Sequence, residues 1–318
     1  MRRDGVDNMK LHPPFIKMLT LRGNARVQAG LGAVIVMVLW ASCYPLITLG
    51  LPHAPHLTFA AMRAAIAGSV LLIVAAVSGA PIPKSPRIWA WLMLAGFGAT
   101  TLGYLGMFHA AEFVAPGFAT IIANTQPLLA AMLARFFLAE RLHARTKFGL
   151  GIGFVGVLIS ASPQLTAGGG AATAKGVAYV VLAAVGVAIG NIAIKKLAGN
   201  IRPSAAMGWQ LILGALPLAF MAGLTENAGA IHWAPAFVVS LFTLALFGTA
   251  LAFWLWQRVL QIMELSRANA FSFLVPFLGV LFGVLFFDER VSLVTIIGAI
   301  ISIVGVQLTF RNESTIRI

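Results

Sequence analysis

The chain has 318 residues, 60% of them hydrophobic and only 10% charged, with a formal net charge of +13 and a single cysteine. A soluble domain carries about 45–50% apolar and about 25% charged residues, so the composition excludes a globule with an ordinary wet surface and makes lipid the main solvent. The basic residues lie between apolar runs rather than on one patch, which argues against a nucleic-acid partner, and the lone Cys43 excludes an internal disulfide.

In chain order, residues 1–27 hold six basic and two acidic side chains around Pro13-Pro14 and predict a flexible cytosolic tail, with Met9 and Met18 as alternative starts. A membrane-crossing helix needs about 20 mainly apolar residues. That rule predicts helices over 28–50, 57–79, 88–110, 116–138 and 145–162. A Gly-rich linker over 163–173 follows, then helices over 174–196, 203–224, 236–257, 266–287 and 291–310, and a short cytosolic tail over 311–318. The first run is too long for a signal-peptide core and counts as a span. No segment alternates as a membrane β-barrel strand does. The predicted fold class is an all-α membrane protein of ten transmembrane helices.

Lys and Arg concentrate in cytoplasmic loops. With the N-terminus inside, 18 of them fall on the inner side and two, Lys175 and Arg290, on the outer side, while Arg63 and Arg135 lie within spans. The chain therefore reads as an integral protein of the bacterial inner membrane with both termini cytoplasmic.

A shift of 149 residues superposes the ends of the two halves without a gap. Between 119 and 157, twelve of 39 positions match their partners, among them Pro127 and Pro276, Glu140 and Glu289, Arg141 and Arg290, Gly149 and Gly298, and Gly156 and Gly305. Each half holds five helices, and an odd number makes the second half enter the membrane from the opposite side. Inverted repeats of this kind place a substrate site near the midplane between them.

The Pro-Leu-Leu at 127–129, the Glu-Arg at 140–141 before the Gly149 and Gly156 helix, and their echo at Pro276, Asp288-Glu289-Arg290, Gly298 and Gly305 resemble two EamA domains over about 30–310. The resemblance is to the drug/metabolite transporter superfamily in its ten-helix form. It implies a basket of two five-helix repeats, 28–162 and 174–310, around a central cavity, and commonly the export of amino acids, related metabolites or drugs.

Polar groups inside a membrane must face protein or water. Asn124-Thr125-Gln126, just before Pro127, is the densest such cluster and offers uncharged donors and acceptors that suit a zwitterion. Trp40, Tyr44, Tyr104, Trp209 and Trp254 lie within spans, where they can stack on cargo or pack against neighbours. Gln210, Asn191, Asn269 and Ser272 are polar candidates of the same kind. Arg63 either snorkels to the outer surface or holds a substrate carboxylate or a helix end. Pro127 and Pro276 each remove a backbone donor and read as hinges or packing kinks. Gly149, Gly153 and Gly156, with Gly298, Ser302 and Gly305 in the repeat, read as a close-packing face. No Asp or Glu falls mid-span, and His109 is the candidate for proton coupling.

No phosphate-binding loop, no metal-spaced His/Cys set and no serine-nucleophile elbow is present, so the sequence calls for no cofactor and no metal. The first functional reading is a secondary transporter that exports amino acids or related metabolites or drugs by alternating access, with a small-molecule substrate and a lipid bilayer as partners. A lipid flippase or channel of the same fold is the alternative. A polytopic membrane enzyme would have to use Glu140, His143 and Arg145 on an inner loop. Oligomeric state is not written in the sequence.

Overall fold

The computed structural model describes residues 25–139, 144–166, 171–287 and 292–310. The predicted tail residues 1–24 and 311–318, His143, and the Glu140-Arg141 and Glu289-Arg290 pairs lie outside the described residues. Both ends of the predicted linker 163–173 are helical, and 167–170 lie outside the described residues.

The first half contains α1 (Ala25–Ala41), α2 (Cys43–Gly50), α3 (His56–Val77), α4 (Pro86–Ala95), α5 (Gly103–Ala110), α6 (Pro116–Ala123), α7 (Gln126–Phe137) and α8 (Ala144–Thr166). The second contains α9 (Ala171–Leu197), α10 (Pro203–Thr225), α11 (Pro235–Ala245), α12 (Ala252–Ile262), α13 (Leu265–Ala270), α14 (Leu274–Phe287) and α15 (Leu293–Phe310). Prolines 86, 116, 203 and 235 open four of these helices, where the amide that proline lacks would have no intrahelical partner.

Among the described residues seven helices are long and apolar enough to cross a membrane, and two shorter apolar stretches are Lys147–Ser160 and Leu293–Gly305. Large apolar side chains such as Phe136, Phe220 and Leu285 face outward, as lipid-facing surfaces require. The chain is an all-helical membrane protein.

Regular helix gives way at matched places in the two halves. α4 runs into α5 through a π-turn over Gly96–Leu102, and α11 runs into α12 through a π-turn over Leu246–Leu251. The Asn124–Thr125 break separates α6 from α7, and a 3-10 turn over Phe271–Phe273 separates α13 from α14.

The halves interlock by exchanging equivalent neighbours. α3 packs along α10, and α8 along α15. α9 lies against α4–α5, and α1–α2 lie against α11–α12. That reciprocity is what a two-fold relation between copies demands.

Two contacts fix the interlock. Where α8 crosses α15, a Cβ on Gly156 would sit 2.5 Å from the Ser302 backbone nitrogen, and one on Gly305 would sit 2.5 Å from the Gly153 nitrogen. The backbones touch, so only glycine fits. Ser302 Oγ donates to the Gly153 carbonyl across the seam at 3.2 Å. At one end of α3, Glu226 from the second half accepts from the amides of Leu57 and Thr58 and from the Thr58 hydroxyl, each at 2.8 Å. A carboxylate there satisfies orphan amides and complements the helix dipole.

Gly156→Val should therefore drive α8 and α15 apart. Overpacking of this kind costs about 1–3 kcal/mol, to be read as a lowered thermal midpoint of the detergent-purified protein. Gly151→Val, at a position with nothing within 4 Å, should leave that midpoint nearly unchanged.

Candidate functional site

The π-turn in the second half builds the site. In a regular helix the Ala252 amide would bond the Gly248 carbonyl, but here it bonds the Phe247 and Thr249 carbonyls instead. The Gly248 carbonyl then accepts from Arg63 Nη2 at 3.5 Å and from Cys43 Sγ at 3.8 Å. The Thr249 hydroxyl donates to the Leu244 carbonyl at 2.8 Å and accepts from Arg63 Nε at 2.8 Å and Tyr104 OH at 3.2 Å.

Arg63 is thus drawn into the protein rather than out to the surface. It is 1% exposed. Its guanidinium stacks over the Tyr104 ring at 4.5 Å, and its remaining partners are two sulfurs, Cys43 Sγ at 3.2 Å and Met107 Sδ at 3.8 Å. Among the described residues no carboxylate pairs with it.

The first half repeats the arrangement with different chemistry. Thr100, in its π-turn, accepts from Gln210 Nε2 at 3.0 Å. Arg63 is the eighth residue of α3 and Gln210 the eighth of α10. Each long helix therefore sends a polar side chain to a threonine in the opposite half's π-turn.

Beside Arg63 lies a cavity of about 90 Å³. The first half contributes Trp40, Arg63 and Tyr104 to its wall, and the second half contributes Asn191, Phe253 and Trp256. Trp40 stands edge-on to Phe253 at 6.0 Å and tilts against Trp256 at 5.2 Å. Trp256 Nε1 donates to Asn191 Oδ1 at 2.9 Å, which leaves buried Asn191 Nδ2 without a partner.

Of the residues singled out in the sequence, Trp40, Arg63, Tyr104 and Asn191 meet at this cavity. Tyr44 is buried one residue beyond Cys43. Asn124 lies at the break between α6 and α7, and Gln126, just after it, donates through Nε2 to Asn269 Oδ1 at 3.3 Å. Asn124 Nδ2 and Asn269 Nδ2 turn back to the Thr120 and Leu265 carbonyls, at 2.9 and 3.1 Å. Thr125 is half-buried at the same break, and Ser272 is buried within the 3-10 turn. Pro127 sits in the first turn of α7, where its missing amide costs no bond, and Pro276 lies near the start of α14.

Trp209 packs edge-on against Trp89 at 5.0 Å, and Trp254 lies beneath the Arg258 guanidinium at 4.5 Å; neither lines the cavity. His109 stacks on His56 at 5.2 Å, and His56 Nε2 contacts Glu112. Sequence reasoning missed Cys43, Thr249 and Trp256 as parts of the site. The Phe-Gly pair at 97–98 that returns at 247–248 marks both π-turns and could have pointed to Thr249.

Residues 28–162 and 174–311 each match the model of the EamA-like transporter family. The chain is 28% identical over 291 residues, 88% of its length and 93% of the relative's, to a probable amino-acid metabolite efflux pump of Escherichia coli. It is 27% identical over 303 residues to a protein of the same description from Salmonella typhimurium, covering 91% and 98% of the two chains. A chloroplastic WAT1-related protein of Arabidopsis thaliana is 25% identical over 264 residues, 81% of this chain, and the chain spans 63% of that relative's length. A crystal structure at 19% identity shares the fold, with a TM-score of 0.74 over 89% of this chain and 96% of the other.

Thr249→Val should strand a buried charged donor and lower the thermal midpoint by the equivalent of about 1.5–3 kcal/mol. Thr100→Val strands only a neutral amide and should cost less, about 1 kcal/mol. Equal losses from the two variants would mean that the guanidinium takes little from Thr249.

Proposed function

The chain belongs to the EamA-like transporter family, and from that premise we propose that it is a secondary transporter exporting amino acids or related metabolites by alternating access. Membership makes it a transporter of a small molecule in a lipid bilayer rather than an enzyme. The finer reading adds ten spans in two inverted halves and both termini on the cytoplasmic face of a bacterial inner membrane. The excess of Lys and Arg on one side supports that orientation, and the reciprocal packing of the halves supports the inversion.

The observation that carries the reading is the cavity whose wall is shared by the two halves. Its volume, about 90 Å³, is less than the roughly 150 Å³ of an apolar cavity that admits benzene. Cargo of amino-acid size therefore needs the halves to move apart. The broken helices supply flexible points for that motion. In this mechanism Pro127 and Pro276 lie beside the bending points, and the Gln126–Asn269 bond ties the two breaks together. Asn124, Thr125 and Ser272 sit at these breaks, Tyr44 is buried next to Cys43, and Gln210 steadies the first half's π-turn. Trp209 and Trp254 would bound the route nearer its ends. His109, stacked on His56 at one end of the bundle, takes the role of proton coupling.

Reporter tags on the two termini should both be read as cytoplasmic; opposite faces would remove the inversion. Purified protein in liposomes should move a labelled member of an amino-acid panel. Trp40→Ala and Gln126→Ala should each slow that flux by about tenfold or more, the equivalent of about 1.4 kcal/mol. Wild-type rates from both variants would remove the site assignment.

A further inference from the structure

We infer that Arg63 is the anchor for a carboxylate on the cargo, so that the transported compounds are acids or zwitterions rather than amides or organic cations. The inference rests on the transporter reading above and narrows it to a substrate class.

The first ground is the imbalance of the wall. An isolated charge away from water is costly unless paired, yet the Arg63 guanidinium, 1% exposed, has one good acceptor in Thr249 and otherwise two sulfurs and a carbonyl at 3.5 Å. Stacking on Tyr104 offsets part of that cost. Thr249 is already saturated as an acceptor. Among the lining residues the one buried polar atom without a partner, Asn191 Nδ2, is also a donor. A cavity with spare donors and no carboxylate is made for an anionic group, and a guanidinium meets a carboxylate through two parallel bonds.

The second ground is the other half. Gln210 reaches Thr100 in the opposite π-turn just as Arg63 reaches Thr249. A neutral amide therefore suffices to hold such a crossing. The positive charge at Arg63 is surplus to the structural task, and it is the charge that faces the cavity. Trp40, Phe253 and Trp256 would flank the apolar remainder of the cargo.

Arg63→Gln gives the first half's helix the side chain its counterpart already carries, so this variant should fold. The experiment measures uptake of L-leucine, L-phenylalanine and methyl viologen into liposomes holding the full chain. It also measures competition by leucinamide and phenylalaninamide for binding of the labelled acids in detergent. Wild type should move at least one acid and bind its carboxamide about tenfold or more weakly. In Arg63→Gln that preference should fall towards one, with the thermal midpoint kept, and Arg63→Lys should recover part of it. Transport of methyl viologen with no movement of the acids, or a variant that keeps the wild-type preference, would overturn the inference and leave the transporter reading standing. No flux of any compound would sink both.

Discussion

Within hydrocarbon a polypeptide cannot leave backbone groups unpaired, and each unpaired group costs several kcal/mol. That constraint is visible at several departures from regular helix among the described residues. The carbonyl released at Gly248 is taken up by Arg63 and Cys43, and the Thr249 hydroxyl bonds the Leu244 carbonyl. At the other interruptions Asn124 and Asn269 return their amides to carbonyls one turn earlier. The irregular backbone is tolerated because it faces the opposing half, whose side chains reach across to it. Around Arg63, interrupted helix, buried polarity and cavity thus meet for one reason.

The two halves show what duplication fixes and what it leaves free. Fixed are the long helix pairs, the π-turns and the glycine seam between α8 and α15, because each depends on backbone proximity. Free are the side chains that cross from one half to the other. The crossing from α3 carries a permanent cation and the crossing from α10 a neutral carboxamide. Symmetric scaffolding therefore holds an asymmetric cavity. A cargo with distinct ends needs such asymmetry, since two identical crossings would bind it equally well in either sense.

Much of this was legible in the sequence, and the reasons are physical. Apolar runs of span length and the 149-residue repeat are coarse signals that lipid imposes on the whole chain, and most helix positions followed from them within a few residues. Trp40, Arg63 and Tyr104 stood out because bulky polar or aromatic groups are conspicuous in a span. Thr249 and Cys43 did not, since a small hydroxyl or thiol costs little in an apolar helix and reveals its use only when a guanidinium arrives from the other half. The π-turns contain no proline, and only the Phe-Gly pair shared by 97–98 and 247–248 sets them apart from regular helix in the local pattern. The direction taken by Arg63 was equally hidden, because a long stem reaches the surface as easily as a partner. Trp209 and Trp254 are conspicuous in sequence by the same criterion as Trp40, yet they pack against Trp89 and Arg258 instead.

The Glu226 contact at the start of α3 carries a mechanical implication. The helix bearing the buried guanidinium is moored at one end by a carboxylate belonging to the opposite half. If the halves part at that end, the mooring slips and the first turn of α3 loses its electrostatic brace. Separation there works against a spring, whereas separation at the far end leaves Glu226 engaged. Three hydrogen bonds thus tie that end to the opposite half.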